Sequence, residues 1–437
     1  MNRFVWGILM IPIVLSLAGC VNDSGSSNYT PKTHDFTLEV KEWADDTVAL
    51  YTLNDGETEM RVVAAGFSIV GQDELRVPNP EIRVKEGDTI RLTVINNNPL
   101  PHTFHLHGGL VDWAMDGVPF LNQMPIHNGQ SYTYVFEDLK AGSYFYHCHV
   151  DVAHHMDLGM YGAFIVEEVD PEYKVDRDFV MMLDEWDNCH VHGNTDPLTG
   201  AESSGDFAER VGCFGRYAQD NLAQNALVAN TLGNPALDPG RQAACDAASN
   251  VPPELQAQLE PVLRQLNCNG GHAVTPIQQA NREWYPVTYP VYSPEYNTYL
   301  INGKAFPDTE PLVVEEGETI RIRLMNVGDE WHSMHLHGHN FLVVAEDGYP
   351  LETPYRRDTL SIGPGERFDI IMEADNPGYW AFHDHVGLNV MNDSHGPGGM
   401  STCIGWGAAW AARALHKKSR RWRSMSIVAL YEVCVVC

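Results

Sequence analysis

Four His-x-His pairs stand out in this chain: His105/His107, His147/His149, His335/His337 and His383/His385. They take eight of its 20 histidines. In an extended strand, residues i and i+2 project from the same face, so each pair aims two imidazoles at one point. One such pair is ordinary surface chemistry. Four pairs, two in each half of an internal repeat, point to a metal cluster. Imidazole suits copper, zinc, iron and nickel.

Cys148 narrows the metal. In His147-Cys148-His149 its side chain must point away from the two histidines. One face of the segment then serves the shared cluster, and the other serves a second metal. Two histidines, one thiolate and a distant methionine make a blue-copper site. His102, Cys148, His155 and Met160 supply that set. His154 competes with His155 for the second imidazole, and the spacing favours His155.

These residues need strands to hold them. Val84–Asn96 (VKEGDTIRLTVIN) matches Val314–Asn326 (VEEGETIRIRLMN) at an offset of 230 residues, and His105-Leu-His-Gly108 recurs as His335-Leu-His-Gly338 at the same offset. Gly142–His147 is echoed by Gly378–His383. Ile90, Leu92 and Val94 alternate with Arg91 and Thr93, the period of a half-buried strand. Short strands between Gly, Asn and Pro turns imply a sandwich or barrel in each repeat. The expected boundaries are 35–185 for the first domain and 286–401 for the second. An insertion at 186–285 separates them. It holds Cys189, Cys213, Cys245 and Cys268, which an exported chain can oxidise into two bridges. Leu255, Leu259, Val262, Leu263 and Leu266 give it one apolar helical face, kinked at Pro261.

The ends differ in character. Residues 1–20 read as a targeting segment: Arg3, an apolar run, then Leu17-Ala-Gly-Cys20, which resembles a lipoprotein cleavage site with Cys20 as the lipid-bearing residue. Residues 21–34 read as a polar tether. The expectation is an exported protein, periplasmic or at the cell surface, held to membrane through Cys20. Residues 402–437 carry Arg413, Lys417, Lys418, Arg420, Arg421 and Arg423 against Glu432 alone. That basic tail reads either as foreign to the second domain, whose last strand would then be missing, or as a genuine basic extension touching membrane; the first reading is preferred because losing a strand exposes a sheet edge. The chain as a whole is acidic, with 58 acids, 28 bases and a net charge of −30. Such a balance excludes nucleic acid as a partner, because phosphate binding needs Lys and Arg, and it permits cationic substrates.

The motifs resemble those of the multicopper oxidases, the laccase-like enzymes. His102-Thr-Phe-His-Leu-His-Gly108 is similar to their His-Pro-x-His-Leu-His-Gly signature, with Thr103 in place of proline. Asp116–Ile126 (DGVPFLNQMPI) resembles their loop after it, and Trp331–His339 and Ala374–Trp380 resemble their last domain. The resemblance implies an all-β fold of two cupredoxin-like Greek-key β-sandwich domains; the disulfide-containing, partly helical insertion between them is read from its own residues and lies outside the resemblance. It implies copper: one type 1, one type 2 and a type 3 pair in each subunit. His105 and His335 would bind type 2. His107, His147, His149, His337, His383 and His385 would bind type 3. The type 1 site belongs to the first domain only. At its matching position the second domain has Asp384, and a carboxylate cannot replace the thiolate. His332, His395 and Met400 keep the outline of a lost second site. Two-domain members of this family place the cluster between subunits of a homotrimer.

The implied reaction is one-electron oxidation of a phenolic or metal-ion donor, coupled to reduction of dioxygen to water. Cys148 links the two metal centres through bonded chain. Asp116 matches an acid that transfers protons near the cluster, and it also reads as a plain turn residue before Gly117. The alternatives are a copper-containing nitrite reductase and a non-catalytic copper-sequestering lipoprotein. All eight cluster positions are histidine, which favours the oxidase over the reductase. An electron-entry site argues against mere sequestration.

Overall fold

The computed structural model describes residues 29–52, 59–71, 75–98, 100–186, 296–392 and 396–406. The described residues from 31 to 406 cluster as one unit. The targeting segment, the insertion from 187 onward with its four cysteines and helical face, His395, and the chain beyond 406 lie outside the described residues, as does the side chain of His154.

The first sandwich packs two four-stranded sheets. One has the order β2-β1-β4-β6, formed by β1 (Thr33–Thr52), β2 (Glu59–Ile69), β4 (Thr89–Asn96) and β6 (Gln130–Phe136). The other has the order β3-β8-β7-β5, formed by β3 (Ile82–Lys85), β5 (His105–His107), β7 (Gly142–His147) and β8 (Tyr161–Glu167). The alternation in β4 does what it should: Ile90, Leu92 and Val94 are fully buried while Arg91 faces solvent. They meet Phe67, Phe104, Tyr134, Tyr146 and Phe164 in one apolar core.

The second sandwich repeats the plan. Its larger sheet runs β10-β9-β12-β17-β14-β15, from β9 (Arg177–Trp186), β10 (Thr298–Ile301), β12 (Thr319–Asn326), β14 (Phe341–Glu346), β15 (Tyr349–Arg357) and β17 (Arg367–Glu373). The facing sheet runs β11-β19-β18-β13-β16, from β11 (Leu312–Val314), β13 (His332–Leu336), β16 (Thr359–Ile362), β18 (Tyr379–Asp384) and β19 (Ser401–Trp406).

The pairing corrects two boundaries. β9 lies before the insertion, yet it pairs parallel with β12 and antiparallel with β10. It stands to the second sandwich as β1, parallel to β4 and antiparallel to β2, stands to the first. The first domain therefore ends before β9, not at 185, and the insertion falls inside the opening hairpin of the second domain. The last strand is also present. β19 pairs antiparallel with β18 and parallel with β11, so the fold runs at least to Trp406 and the expected break at 402 is wrong. Cys403, on that strand, is disulfide-bonded.

A third apolar cluster joins the sandwiches: Phe145, Tyr161 and Ile165 of the first meet Met182, Leu300 and Met325 of the second. Charged groups pin the same seam. Arg323, almost fully buried, donates to Asp178 at 2.7 Å, to Asp369 at 3.2 Å and to the Ser143 hydroxyl of β7 at 2.8 Å. β7, which leads into His147-Cys148-His149, is thus held from both domains.

Candidate metal centres

Three elements build the first centre. His102 is set by a backbone bridge to Ile126, with N···O distances of 3.1 and 2.8 Å. Cys148 follows β7, and its N–H donates to the Met160 carbonyl at 3.1 Å. His155 sits on α1 (Val152–Asp157), the one α-helix among the described residues. The Cys148 Sγ lies 3.6 Å from His102 Nδ1 and 3.3 Å from His155 Nδ1. All three side chains are buried. Burial alone would raise the Cys148 thiol, but the His155 and His102 imidazoles against it bring its pKa down to about 6. A thiolate held between two Nδ1 atoms in a dry pocket suits copper. Met160 is fully buried in the same core, fixed through its backbone contact with Cys148. The geometry brings His155 to the sulfur, as the spacing favours.

The first histidine set lies on β5 and at the end of β7, where His105 and His147 are direct cross-strand partners. The ligating atoms of His105, His107 and His147 lie within 4.8 Å of one another. The His149 ring is 5.1 Å from His105 and 5.7 Å from His147. Backbone carbonyls fix the tautomers. His105 Nδ1 donates to Asp116 O at 2.6 Å, and His147 Nδ1 donates to Cys148 O at 2.8 Å. Each Nε2 is left for metal. Gly117, at φ +82°, permits the first bond, since a Cβ there would strike the Phe104 carbonyl. Burial, with Arg367 and the neighbouring imidazoles, lowers His107 to about 3. Burial also lowers His147 and His149. Neutral imidazole is the form that binds metal.

The second set mirrors the first. His335 and His383 are cross-strand partners on β13 and β18. His335 Nδ1 meets the Asp358 carbonyl at 3.0 Å and the Thr359 hydroxyl at 2.9 Å, and His383 Nδ1 donates to Asp384 O at 2.7 Å. His337 Nε2 and His383 Nε2 converge to 3.0 Å. The His385 ring lies 5.4 Å from His335 and 5.9 Å from His383. Burial lowers His337 and His383 below the usual imidazole value. Ring contacts join histidines within each set, and among the described residues none joins one set to the other. Leu110 and Trp113, which follow His107 closely in the chain, are exposed, as are Trp331, just before the His335 pair, and Val386 and Leu388, just after His385.

Where the second sandwich would repeat the thiolate site, the structure holds an ion triad. His332 Nδ1 is 2.9 Å from Asp384 Oδ2, and His332 Nε2 is 3.0 Å from Glu185 Oε2, with all three side chains buried. Burial would lower His332, but the two carboxylates raise it to about 9. Asp384 also accepts from Ser333 N, Val386 N and Asn389 Nδ2. Met400 is fully buried in this core. Sequence reasoning missed Glu185, which lies 147 residues before its partner His332 in the chain.

Asp116 reaches the first set twice. Its carbonyl accepts a hydrogen bond from His105 Nδ1, and its carboxylate Oδ1 lies 3.4 Å from the same Nδ1. That contact lowers its pKa.

Comparison with known proteins agrees with this geometry. Family models described as multicopper oxidase match residues 64–171 and 277–400. Copper resistance protein A of Escherichia coli is 29% identical over 309 residues, which is 70% of this chain and 43% of that protein. The chain spans about half the length of the curated relatives it matches. The blue copper oxidase of Nitrosomonas europaea superposes with a TM-score of 0.57 at 28% identity, covering 90% of each chain. The multicopper oxidase mgLAC superposes at 0.55 with 30% identity, covering 86% of each.

Proposed function

The chain belongs to the multicopper oxidase family, and from that premise we propose that it couples one-electron oxidation of a small donor to reduction of dioxygen to water. The observation that carries the reading is Cys148. Its sulfur lies between His102 and His155 on one face, and its chain neighbours His147 and His149 join the histidine set on the other. We assign type 1 copper to His102, Cys148, His155 and Met160, type 2 to His105 and His335, and the type 3 pair to the remaining six histidines of the pairs. Copper so held would supply one-electron acceptance at the first centre and dioxygen chemistry at the second.

The protein's own groups do the rest. Cys148 is the covalent bridge between the two ligand sets. The backbone carbonyls at Asp116, Cys148, Asp358 and Asp384 hold four imidazoles in the tautomer that offers Nε2. The Asp116 carboxylate, a third exposed, is placed to pass protons between solvent and the His105 side of the cluster.

Each histidine set is half of an eight-ligand cluster. We propose that the first set of one subunit closes on the second set of the next in a homotrimer, and that the exposed Leu110, Trp113, Trp331, Val386 and Leu388 are covered there. Arg3, the apolar run and Cys20 support export with a lipid anchor. No helix among the described residues is long and apolar enough to cross a membrane.

The test is oxygen uptake by copper-loaded protein with a phenol, Fe(II), Cu(I) and Mn(II) as donors. The expected result is uptake with at least one donor. Cys148→Ser is expected to lose both the blue colour and turnover while keeping the cluster copper. No uptake by fully loaded protein, or blue colour that survives the substitution, contradicts the reading.

A further inference from the structure

Arg367 opens β17 in the second sandwich, yet it reaches β7 of the first. It is almost fully buried. Its Nε donates to the Ser143 carbonyl of β7 at 3.2 Å, Nη1 to the Gly365 carbonyl at 2.8 Å, and Nη2 to the Asp347 carbonyl at 2.9 Å. Its guanidinium stands 5.9 Å from the Phe145 ring centroid. Phe145 in turn stacks on His107, with centroids 4.3 Å apart and planes 15° from parallel. On the His107 ring from the second domain comes the turn at Gly365, where a Cβ would sit only 3.2 Å from His107 Cε1. Gly108, the residue after His107, approaches so closely that a Cβ there would collide with the Arg367 guanidinium.

We propose that Arg367 is a positioning residue for His107. Its planar fork ties β7, the Gly365 turn and the β14–β15 turn into one cradle that fixes the rotamer of a cluster ligand belonging to the other domain. The inference rests on His107 binding copper. A guanidinium suits the task because it serves three carbonyls in fixed directions while lying over a ring, which a lysine ammonium cannot do. Through this residue, docking of the second domain on the first of the same chain becomes a condition for a well-formed cluster.

The experiment uses full-length, copper-loaded Arg367→Met, Arg367→Lys and Phe145→Leu. Phe145→Leu removes the ring beneath His107 and leaves the bonds of Arg367. Each is titrated with a copper chelator while the thiolate–copper colour and the cluster copper are followed separately. Wild type is expected to hold both. Arg367→Met and Phe145→Leu should keep the thiolate–copper colour and release cluster copper at roughly 10- to 100-fold lower chelator concentration, the usual cost of removing a group that orients a metal ligand. Arg367→Lys should fall between. The proposal is overturned if a variant that keeps its colour holds cluster copper as tightly as wild type. A variant that loses both signals has lost the first sandwich itself, and the remaining two then decide. Wild type lacking either signal contradicts the copper assignment and not the role of Arg367.

Discussion

Cys148 and Asp384 occupy the same point of the repeat, each between two histidines of a pair, and the consequences diverge from there. The thiol draws His102 and His155 into a metal set. The carboxylate draws in His332, and Glu185 closes the other side of that ring. A buried His332 between two carboxylates stands where the first sandwich brings two imidazoles to a thiol, and the stability of that triad depends on pH. The pKa of His332 is about 9 in the folded chain, against about 6.5 unfolded. Its contribution is therefore fully present below pH ~6.5 and lost as pH rises through about 9, at a cost on the order of 3 kcal/mol. Denaturant unfolding at about pH 6 and about pH 10 checks this. Wild type should lose stability on going up, and His332→Gln should lose much less; parallel losses in both contradict the triad's role. The four histidine pairs and Cys148 could be read from the sequence because alternation in a strand converts spacing directly into a shared face. Glu185 and Arg367 could not, because neither carries a local pattern and each acts on a partner far along the chain.

β9 and β19 show the same limit for elements. The sequence repeat begins at β3 and β11 and carries no trace of β1 and β9, so the repeat alone leaves β9 at the end of the first domain. Its parallel pairing with β12 decides otherwise. β19 escaped notice because it runs between β11 and β18, with Thr402, Cys403 and Ile404 all buried. A strand enclosed on both faces has no reason to alternate. The interdomain seam depends on Arg323, which serves Asp178, Asp369 and Ser143 together. Arg323→Met leaves Asp369 buried without its cation. It should cost about 3 kcal/mol or more of unfolding free energy, by analogy with other broken buried pairs. Denaturant titration measures it, and a loss well under ~1 kcal/mol would mean the seam is held by the apolar cluster alone.

At the scale of the molecule, the proposed cluster needs both histidine sets. The net charge of the chain, −30 at neutral pH, fits solubility and permits attraction of cationic donors. The exposed apolar side chains beside each set call for a cover. Leu388→Asp places a charge in the proposed subunit contact and should yield monomers by sedimentation. Those monomers would keep the blue site, which lies within one domain, and lose the cluster copper. If they retain the cluster, the two sets meet within one chain and the trimer is wrong. The most direct test of the central claim is copper counting combined with electron paramagnetic resonance on the fully loaded, oxidised protein. The expected result is about four coppers per chain, one with a type 1 signal, one with a type 2 signal and two silent as a coupled pair. Two coppers per chain, both visible and with no coupled pair, would contradict it.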